Sequence, residues 1–368
     1  MHLAFVDFVY GYDAGRPEVP EPLGGTTSAV CFLARELVKS GISCSFYNRV
    51  NEIRQSHGIP SYPLHALSTI LGCDDCTAYV FCGRWSEEWV HQVRASTRAP
   101  LIAWMHESAF ASPFTPALQE FDAVVYVSDW QKRVNKEAAQ LSWKETVIRN
   151  AMNPVVSTSF PPGQSILEAK TIPPVLLFAG SFARGAFHVV PLLERIRPHC
   201  KEFSVEIFCN LNPSRNAEQD ATYIHWLRTQ PHINHVGMVG QNELARRMKK
   251  ASVFLAPNPW PETSNIALIE AMASGLQAVT TNRAALPETA SGFARQVPIQ
   301  APDDPLRFDA NIEYDIFAQT ILECLRLRED NPTQLENQLR RQIDFFHAHY
   351  KWEQRVEPWA HFIKELTT

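Results

Sequence analysis

The residues best suited to chemistry lie in one stretch, Ala256-Pro-Asn-Pro-Trp-Pro-Glu262-Thr-Ser-Asn-Ile-Ala-Leu-Ile-Glu270-Ala-Met-Ala-Ser-Gly275. An apolar run ends at Ala256, a proline-rich loop follows, and the pattern predicts a helix opening near Ser264 and closing at Gly275. That helix is apolar almost all round, through Ile266, Ala267, Leu268, Ile269, Ala271, Met272 and Ala273, so it is expected to be buried. Glu270 is its only charge, and a buried carboxylate without partners is strongly unfavourable. The helix N-terminus offers free amide N–H groups and the positive end of the helix dipole. No acid stands three positions after Ser264 to claim those donors in a capping box. The Thr263–Ile266 backbone is therefore a natural seat for phosphate. Glu270 itself either holds a ligand or pairs with a buried arginine or a neighbouring loop.

Three further segments follow or precede apolar runs. Ala179-Gly180-Ser-Phe-Ala-Arg184-Gly185 carries one guanidinium in a glycine-flanked loop, suited to neutralising a diphosphate leaving group. A surface salt bridge is the plainer use of Arg184. Pro22-Leu23-Gly24-Gly25-Thr26 precedes a helix; its glycines permit positive φ and close approach of a ligand, or simply make a tight turn. His106, in Trp-Met-His106-Glu107, stands at the carboxyl end of an apolar run and so points toward a cleft, or else donates to a carbonyl in the core.

Such residues need elements to position them. Short apolar runs alternate with helical spacing, the pattern of an α/β chain with parallel strands. Predicted strands in the first half are Leu3–Phe8, Ser43–Tyr47, Ala78–Phe81, Leu101–Trp104, Ala123–Val127 and Thr146–Ile148. In the second half they are Val175–Phe178, Ser204–Phe208, Ile233–Val236, Val253–Ala256 and Ala278–Thr280. Between the first two, Ser28–Lys39 has helical spacing through Val30, Leu33, Ala34 and Leu37, and Gly41 stops it. Asn153 to Pro174 contains five prolines and a glycine and reads as the linker region. Two doubly wound sheets are thus expected, with ligands at the carboxyl ends of their strands and hence in a cleft between them.

Composition narrows the function classes. At 368 residues the chain is long enough for two domains, and 45% hydrophobic with 20% charged residues is ordinary for a globular protein. A net charge of −5 argues against a mainly electrostatic nucleic-acid binder. No stretch reaches the roughly 18–20 apolar residues of a membrane span. The start, Met-His-Leu-Ala-Phe-Val-Asp7, lacks a basic segment and reads as a strand rather than a signal peptide, so a cytoplasmic location is expected. Eight cysteines, among them Cys31, Cys44, Cys82, Cys209 and Cys324 in apolar runs, read as reduced thiols. Cys73-Asp-Asp-Cys76 is either half a zinc site or a surface loop; no second pair follows it.

Glu262 and Glu270, with seven residues between them and followed by Ala-Met-Ala-Ser-Gly275, resemble the donor-binding signature of retaining GT-B glycosyltransferases, family 4 in particular. Ala285-Leu286-Pro287-Glu288 continues the resemblance. Gly237-Met-Val-Gly-Gln-Asn-Glu-Leu244 is similar to the family segment beside the nucleobase. The resemblance implies two Rossmann-like domains facing a cleft. Residues 1–155 form the acceptor side, with 350–368 crossing back from Trp352-Glu353 as a terminal helix, and residues 156–349 form the nucleotide-sugar side.

It implies Glu262 on the transferred sugar, Glu270 on the ribose, and the backbone of Thr263, Ser264, Asn265 and Ile266 around the diphosphate. Met238 and Val239 lie beside the base, and Gly24 and Gly25 near the sugar and phosphates. His106, Arg184 and Glu262 are the implied catalytic residues. Two departures stand out: Ser181 replaces the family's usual arginine, leaving Arg184 in the place of a lysine, and Ala151 replaces the glycine of an interdomain turn, Arg149-Asn150-Ala151-Met152.

The activity so implied transfers a sugar, with retention, from a nucleotide diphosphate donor (UDP rather than GDP) to a small-molecule, glycan or glycolipid acceptor. No metal and no cofactor beyond the donor is expected, because no Asp-x-Asp pair follows a strand, and no nucleic acid is an expected partner. The basic Lys132–Lys144 region leaves a peripheral membrane contact open. The alternative is a non-catalytic GT-B-like binding protein, which Ser181 and Ala151 favour. A dinucleotide oxidoreductase fits poorly, since no Gly-x-Gly-x-x-Gly follows the first strand.

Overall fold

A computed structural model describes every residue except 17–21, 68–75, 108–115, 140–142, 211–216, 231 and 301–309. The chain divides into two compact units. The first comprises Met1–Val19, Leu23–Ala151 and Lys351–Thr368, and Met152–Tyr350 makes up the body of the second.

The first unit is built on an eight-stranded sheet. Its strands are β1 (His2–Val6), β2 (Ser43–Asn48), β3 (Arg54–Ser56), β4 (Ile59–Pro63), β5 (Ala78–Cys82), β6 (Leu101–Met105), β7 (Ala123–Tyr126) and β8 (Lys144–Val147). They run in the order β3-β4-β2-β1-β5-β6-β7-β8, parallel throughout except for the β3–β4 pair. All six predicted strands are present, within two residues at each end. The edge pair β3–β4 escaped prediction because β3 is short and polar and β4 carries Pro60 and Pro63, which demote a strand reading. Among the described residues three helices lie between strands: α1 (Gly25–Lys39), α2 (Glu87–Ser96) and α3 (Asp129–Ala139). The terminal helix, Glu353–Thr367, belongs to this unit and sets Trp359 edge-on against Trp104 of β6, their centroids 5.0 Å apart.

The second unit holds a six-stranded, all-parallel sheet. Its strands are β9 (Val175–Ala179), β10 (Ser204–Phe208), β11 (Ile233–His235), β12 (Val253–Ala256), β13 (Gln277–Thr281) and β14 (Arg295–Val297), in the order β11-β10-β9-β12-β13-β14. β14 was missed because only one of its three residues is apolar. Among the described residues seven helices accompany the sheet: α4 (Ala186–Ile196), α5 (Ala217–Thr229), α6 (Gln241–Lys250), α7 (Ile266–Ala273), α8 (Leu286–Ala290), α9 (Tyr314–Asp330) and α10 (Pro332–His349). The apolar faces of β9, β12 and β13 bury against α4 and α9 on one side and α7 on the other, so these strands read as continuous apolar runs.

In each sheet the first strand sits centrally. β1 lies between β2 and β5, and β9 lies between β10 and β12. Chain connections therefore leave that strand in opposite directions, which opens a crevice at the carboxyl ends of β1 and β5 and another at those of β9 and β12.

One expectation is corrected. The proline-rich stretch from Asn153 to Pro174 is not a free linker. It forms short 3-10 turns at Pro154–Thr158 and Leu167–Ala169, and it buries Phe160 and Ile166 against Leu335, Leu339 and Ile343 of α10. Its prolines shape a packed covering of the second unit. His347 is half-buried, with Nε2 3.0 Å from the Ala273 carbonyl at the end of α7.

Candidate functional site

The β9–β12 crevice collects most of the candidate residues. After β9 the chain crosses the face of Phe178, and a Cβ on Gly185 would stand 2.7 Å from Phe178 Cε2, so glycine is required there. The short turn Phe182–Arg184 follows Ser181, whose carbonyl accepts the Arg184 amide at 3.1 Å. The Arg184 guanidinium lies over the Trp260 ring, 5.4 Å from its centroid, and Nη1 stands 3.8 Å from Glu262 Oε2. Arg184 thus does form a salt bridge, and its partner is another candidate residue.

Glu262 is 9% exposed. Asn258 Nδ2 donates to Glu262 Oε1 at 2.7 Å, while Asn258 Oδ1 accepts the Trp260 amide at 2.9 Å. Neighbouring elements brace the loop. Thr281 Oγ1 at the end of β13 donates to the Asn258 carbonyl (2.7 Å), Thr289 Oγ1 of α8 to the Ser264 carbonyl (2.6 Å), and the Ala285 amide to the Glu262 carbonyl (3.0 Å). Thr263 and Ser264 are buried by this bracing.

Helix α7 begins at Ile266, two residues later than expected, because Asn265 rather than Ser264 caps it. Asn265 adopts φ 63 and ψ 78, the left-handed region that asparagine tolerates better than most residues, and its Oδ1 accepts the Leu268 amide at 3.0 Å. No capping box forms, but one amide is taken by this cap. The Ile266 and Ala267 amides keep no partner among the described residues, and an anion at the helix start would find both.

Glu270, 5% exposed, lies within α7. Its Oε1 accepts the backbone N–H of Asn153 at 3.0 Å, and no ion pair reaches it among the described residues. The buried-arginine alternative is therefore not realised, whereas the neighbouring-loop alternative is, through the Asn153 amide. Desolvation pushes its carboxyl up to about 7, with the Asn153 amide offsetting part of the rise. A carboxylate so sparsely bonded keeps capacity for a ligand hydroxyl. Between β11 and α6, Gly237 takes φ 82, Met238 is 45% exposed, and Val239 packs against the core.

The first unit carries the remaining candidates. Gly24 caps α1 with φ −67 and ψ 160, and a Cβ there would meet nothing within 4 Å. Positive φ and crowding, the reasons expected for a glycine, are thus both absent at Gly24. No side chain caps α1, so the amides of Gly25, Thr26 and Thr27 are unclaimed among the described residues. His106 follows β6, its ring centroid 4.6 Å from that of Trp104. Burial lowers it to about 4, with the Trp104 backbone and the Asn150 side chain partly offsetting, so the ring is neutral at pH 7.

Sequence reasoning missed Asn258, Trp260, Thr281, Thr289 and Asn153, whose roles come from contacts across the fold. It also missed Asp7 at the end of β1, whose Oδ1 accepts the Val9 (2.8 Å) and Tyr10 (3.3 Å) amides. Cys73 lies outside the described residues, and Cys76 Sγ donates to the Ala78 carbonyl at 3.2 Å. In the basic Lys132–Lys144 region, residues 140–142 also lie outside them, and Lys132 pairs with Glu145 at 3.2 Å. Among the described residues no helix is long and apolar enough to cross a membrane.

Residues 173–314 match the family model described as Glycosyl transferases group 1, a span that includes Arg184, Met238, Glu262 and Glu270. No curated protein matches the chain. Among solved structures, sucrose-phosphate synthase from Thermosynechococcus elongatus is similar at TM-score 0.72 and 15% identity, covering 99% of this chain and 98% of that one. HepE from Anabaena in complex with UDP and glucose is similar at TM-score 0.69 and 11% identity, covering 99% and 100%. The catalytic domain of starch synthase IV from Arabidopsis thaliana, bound to ADP and acarbose, gives TM-score 0.69 and 10% identity, covering 100% and 99%. The fold is GT-B, with two Rossmann-like domains. Together the domain match and this fold support sugar transfer.

Proposed function

We propose that this chain is a retaining, metal-independent glycosyltransferase that takes a sugar from a nucleotide diphosphate donor, UDP rather than GDP, to a small-molecule, glycan or glycolipid acceptor. One observation carries the reading. A buried helix ends in open amides beside an arginine–glutamate pair, and its single carboxylate is held by one backbone donor. The domain match over this segment, and the UDP and ADP bound in two of the similar structures, support a nucleotide donor.

In the proposed reaction the bond between the anomeric carbon and the diphosphate oxygen breaks, the acceptor oxygen forms its bond on the same face, and the acceptor's hydroxyl proton passes to the departing diphosphate. Negative charge gathers on the departing diphosphate. Arg184 and the Ile266 and Ala267 amides are aimed at that charge, and stabilising it lowers the barrier. Glu262 accepts hydrogen bonds from hydroxyls of the transferred sugar, and Glu270 from the ribose. His106, neutral at pH 7, is assigned a hydrogen bond to a sugar hydroxyl rather than a charge.

The test is nucleotide release from a panel of UDP-sugars and GDP-sugars, with and without a chelator, in the presence of candidate acceptors. Turnover with a UDP-sugar, insensitive to the chelator and lost in Glu262→Gln/Glu270→Gln, supports the proposal. Tight nucleotide binding without turnover for any acceptor would favour the non-catalytic alternative, to which Ser181 and Ala151 point.

A further inference from the structure

At the opposite, amino-terminal edge of the second sheet lies a cavity of about 460 Å³ that the donor reading does not use. Lys170 is on its inner wall, only 5% exposed. Lys170 Nζ donates to the Lys249 carbonyl at 3.2 Å and the Ser274 carbonyl at 3.0 Å and lies 5.5 Å from the centroid of the Phe160 ring, so oxygen acceptors take only two of its three N–H groups among the described residues. Arg328, half-buried beside it, makes only long contacts among the described residues, to Thr171 O and Ser252 Oγ at 3.4 Å and Leu167 O at 3.3 Å.

The carboxylate acting on Lys170, Glu336, is already engaged by the Ile166 and Leu167 amides at 2.8 and 2.9 Å and by Ser165 Oγ at 3.2 Å. Glu202 and Glu329 lie on the exposed rim, with Lys201 and His199 for company. Deep charge in the cavity is thus positive and short of acceptors, while Pro173, Leu335 and Leu339 line it with carbon.

We propose that this cavity binds a small organic phosphomonoester, with the dianion on Lys170 and Arg328 and the carbon body against Pro173, Leu335 and Leu339. Phosphate oxygens supply the acceptors these two donors lack, in charge-assisted bonds. Desolvation and the neighbouring Arg328 and Lys249 hold the Lys170 ammonium well below its ordinary range, and an anion in the cavity restores its charge. Such a ligand would touch the last turn of α7 through Lys170 and Ser274, while the donor is assigned to the first turn. The two sites are separate, and the inference does not depend on the chain turning over a sugar.

Calorimetry on the intact chain tests it, with glucose 6-phosphate, glycerol 3-phosphate, inorganic phosphate and uncharged glucose as ligands, each with and without saturating UDP. The expected result is saturable 1:1 binding of at least one phosphomonoester with Kd below about 1 mM, absent for glucose and unchanged by UDP. Arg328→Gln weakens it about tenfold or more, with the melting temperature checked in parallel. Lys170→Met removes bonds to two buried carbonyls and risks unfolding, so Arg328→Gln is the decisive variant. No saturable binding of any phosphate, binding kept within about twofold in folded Arg328→Gln, or displacement by UDP would each overturn the proposal. Inorganic phosphate binding as tightly as both esters would overturn the assignment of the carbon body.

Discussion

Arg184 Nη1 and Glu262 Oε2, on loops that follow the adjacent strands β9 and β12, stand 3.8 Å apart. The cation assigned to the leaving group and the acid assigned to the sugar therefore stand within ion-pair reach of each other. Trp260 beneath the guanidinium and Asn258 on the other carboxylate oxygen limit where each can move. A donor needs only to insert its phosphate and sugar hydroxyls between groups that already converge.

Arg184→Gln is expected to lower kcat by about 10²–10³-fold, the usual loss when one charge-stabilising donor is removed. The Arg184 side chain is 38% exposed, so the pair itself adds no more than about 1 kcal/mol to stability, and the variant should melt as the parent does. Single-turnover kinetics alongside a thermal melt check both halves. A fall in kcat below about fivefold would leave the leaving group without its proposed counter-charge.

Glu270 sets a pH dependence. Its carboxyl stands at about 7 in the folded chain against 4.5 for the ordinary group. Below that lower value both states hold the proton; between the two values only the folded state does. Its contribution to stability is therefore present at low pH and lost as pH rises through this window, on the order of 3 kcal/mol in all. Glu270→Gln should flatten that part of a stability-versus-pH curve measured by urea unfolding. A ribose hydroxyl donating to Glu270 favours its ionised form, so UDP binding near pH 7 should release a proton, and titrations in buffers of different ionisation enthalpy would detect it.

Asn265 couples a cap to a left-handed backbone. Asn265→Ala loses the bond to the Leu268 amide and strains φ, a cost of about 2 kcal/mol in urea unfolding. Asn265→Gly keeps the backbone at ease and should cost only a few tenths. Equal losses in the two variants would show that the backbone conformation is not what asparagine supplies.

Gly24→Ala separates ligand space from backbone need. Its backbone is extended and a Cβ meets nothing within 4 Å, so stability should fall by less than about 1 kcal/mol. If donor phosphate approaches that point, the added methyl should raise the donor KM by about tenfold. An unchanged KM would remove Gly24 from the donor site.

The strands and the buried helix were legible because they are apolar runs of standard period. Glu270 could be singled out as a lone charge on an otherwise apolar helix, and the open amides follow from where that helix starts. What the sequence withheld is set by distant contacts. Nothing near Thr281 or Thr289 says that their hydroxyls brace the Asn258 and Ser264 carbonyls across the fold. The reading of 153–174 as linker failed for a related reason. Prolines announce an irregular path, but only packing against α10 shows that Phe160 and Ile166 are interior. Likewise, Asn265 displaced Ser264 as the cap through a conformation that residue type alone does not fix.

The donor that steadies Glu270 is a main-chain amide. Every amino acid but one carries that group, so drift in the side chain at position 153 cannot erase it. Only proline deletes the N–H, and the backbone there, at φ −53, already suits a pyrrolidine ring. The protonation of this acid is thus written into the route of the chain, and a single imino acid is the cleanest tool for rewriting it.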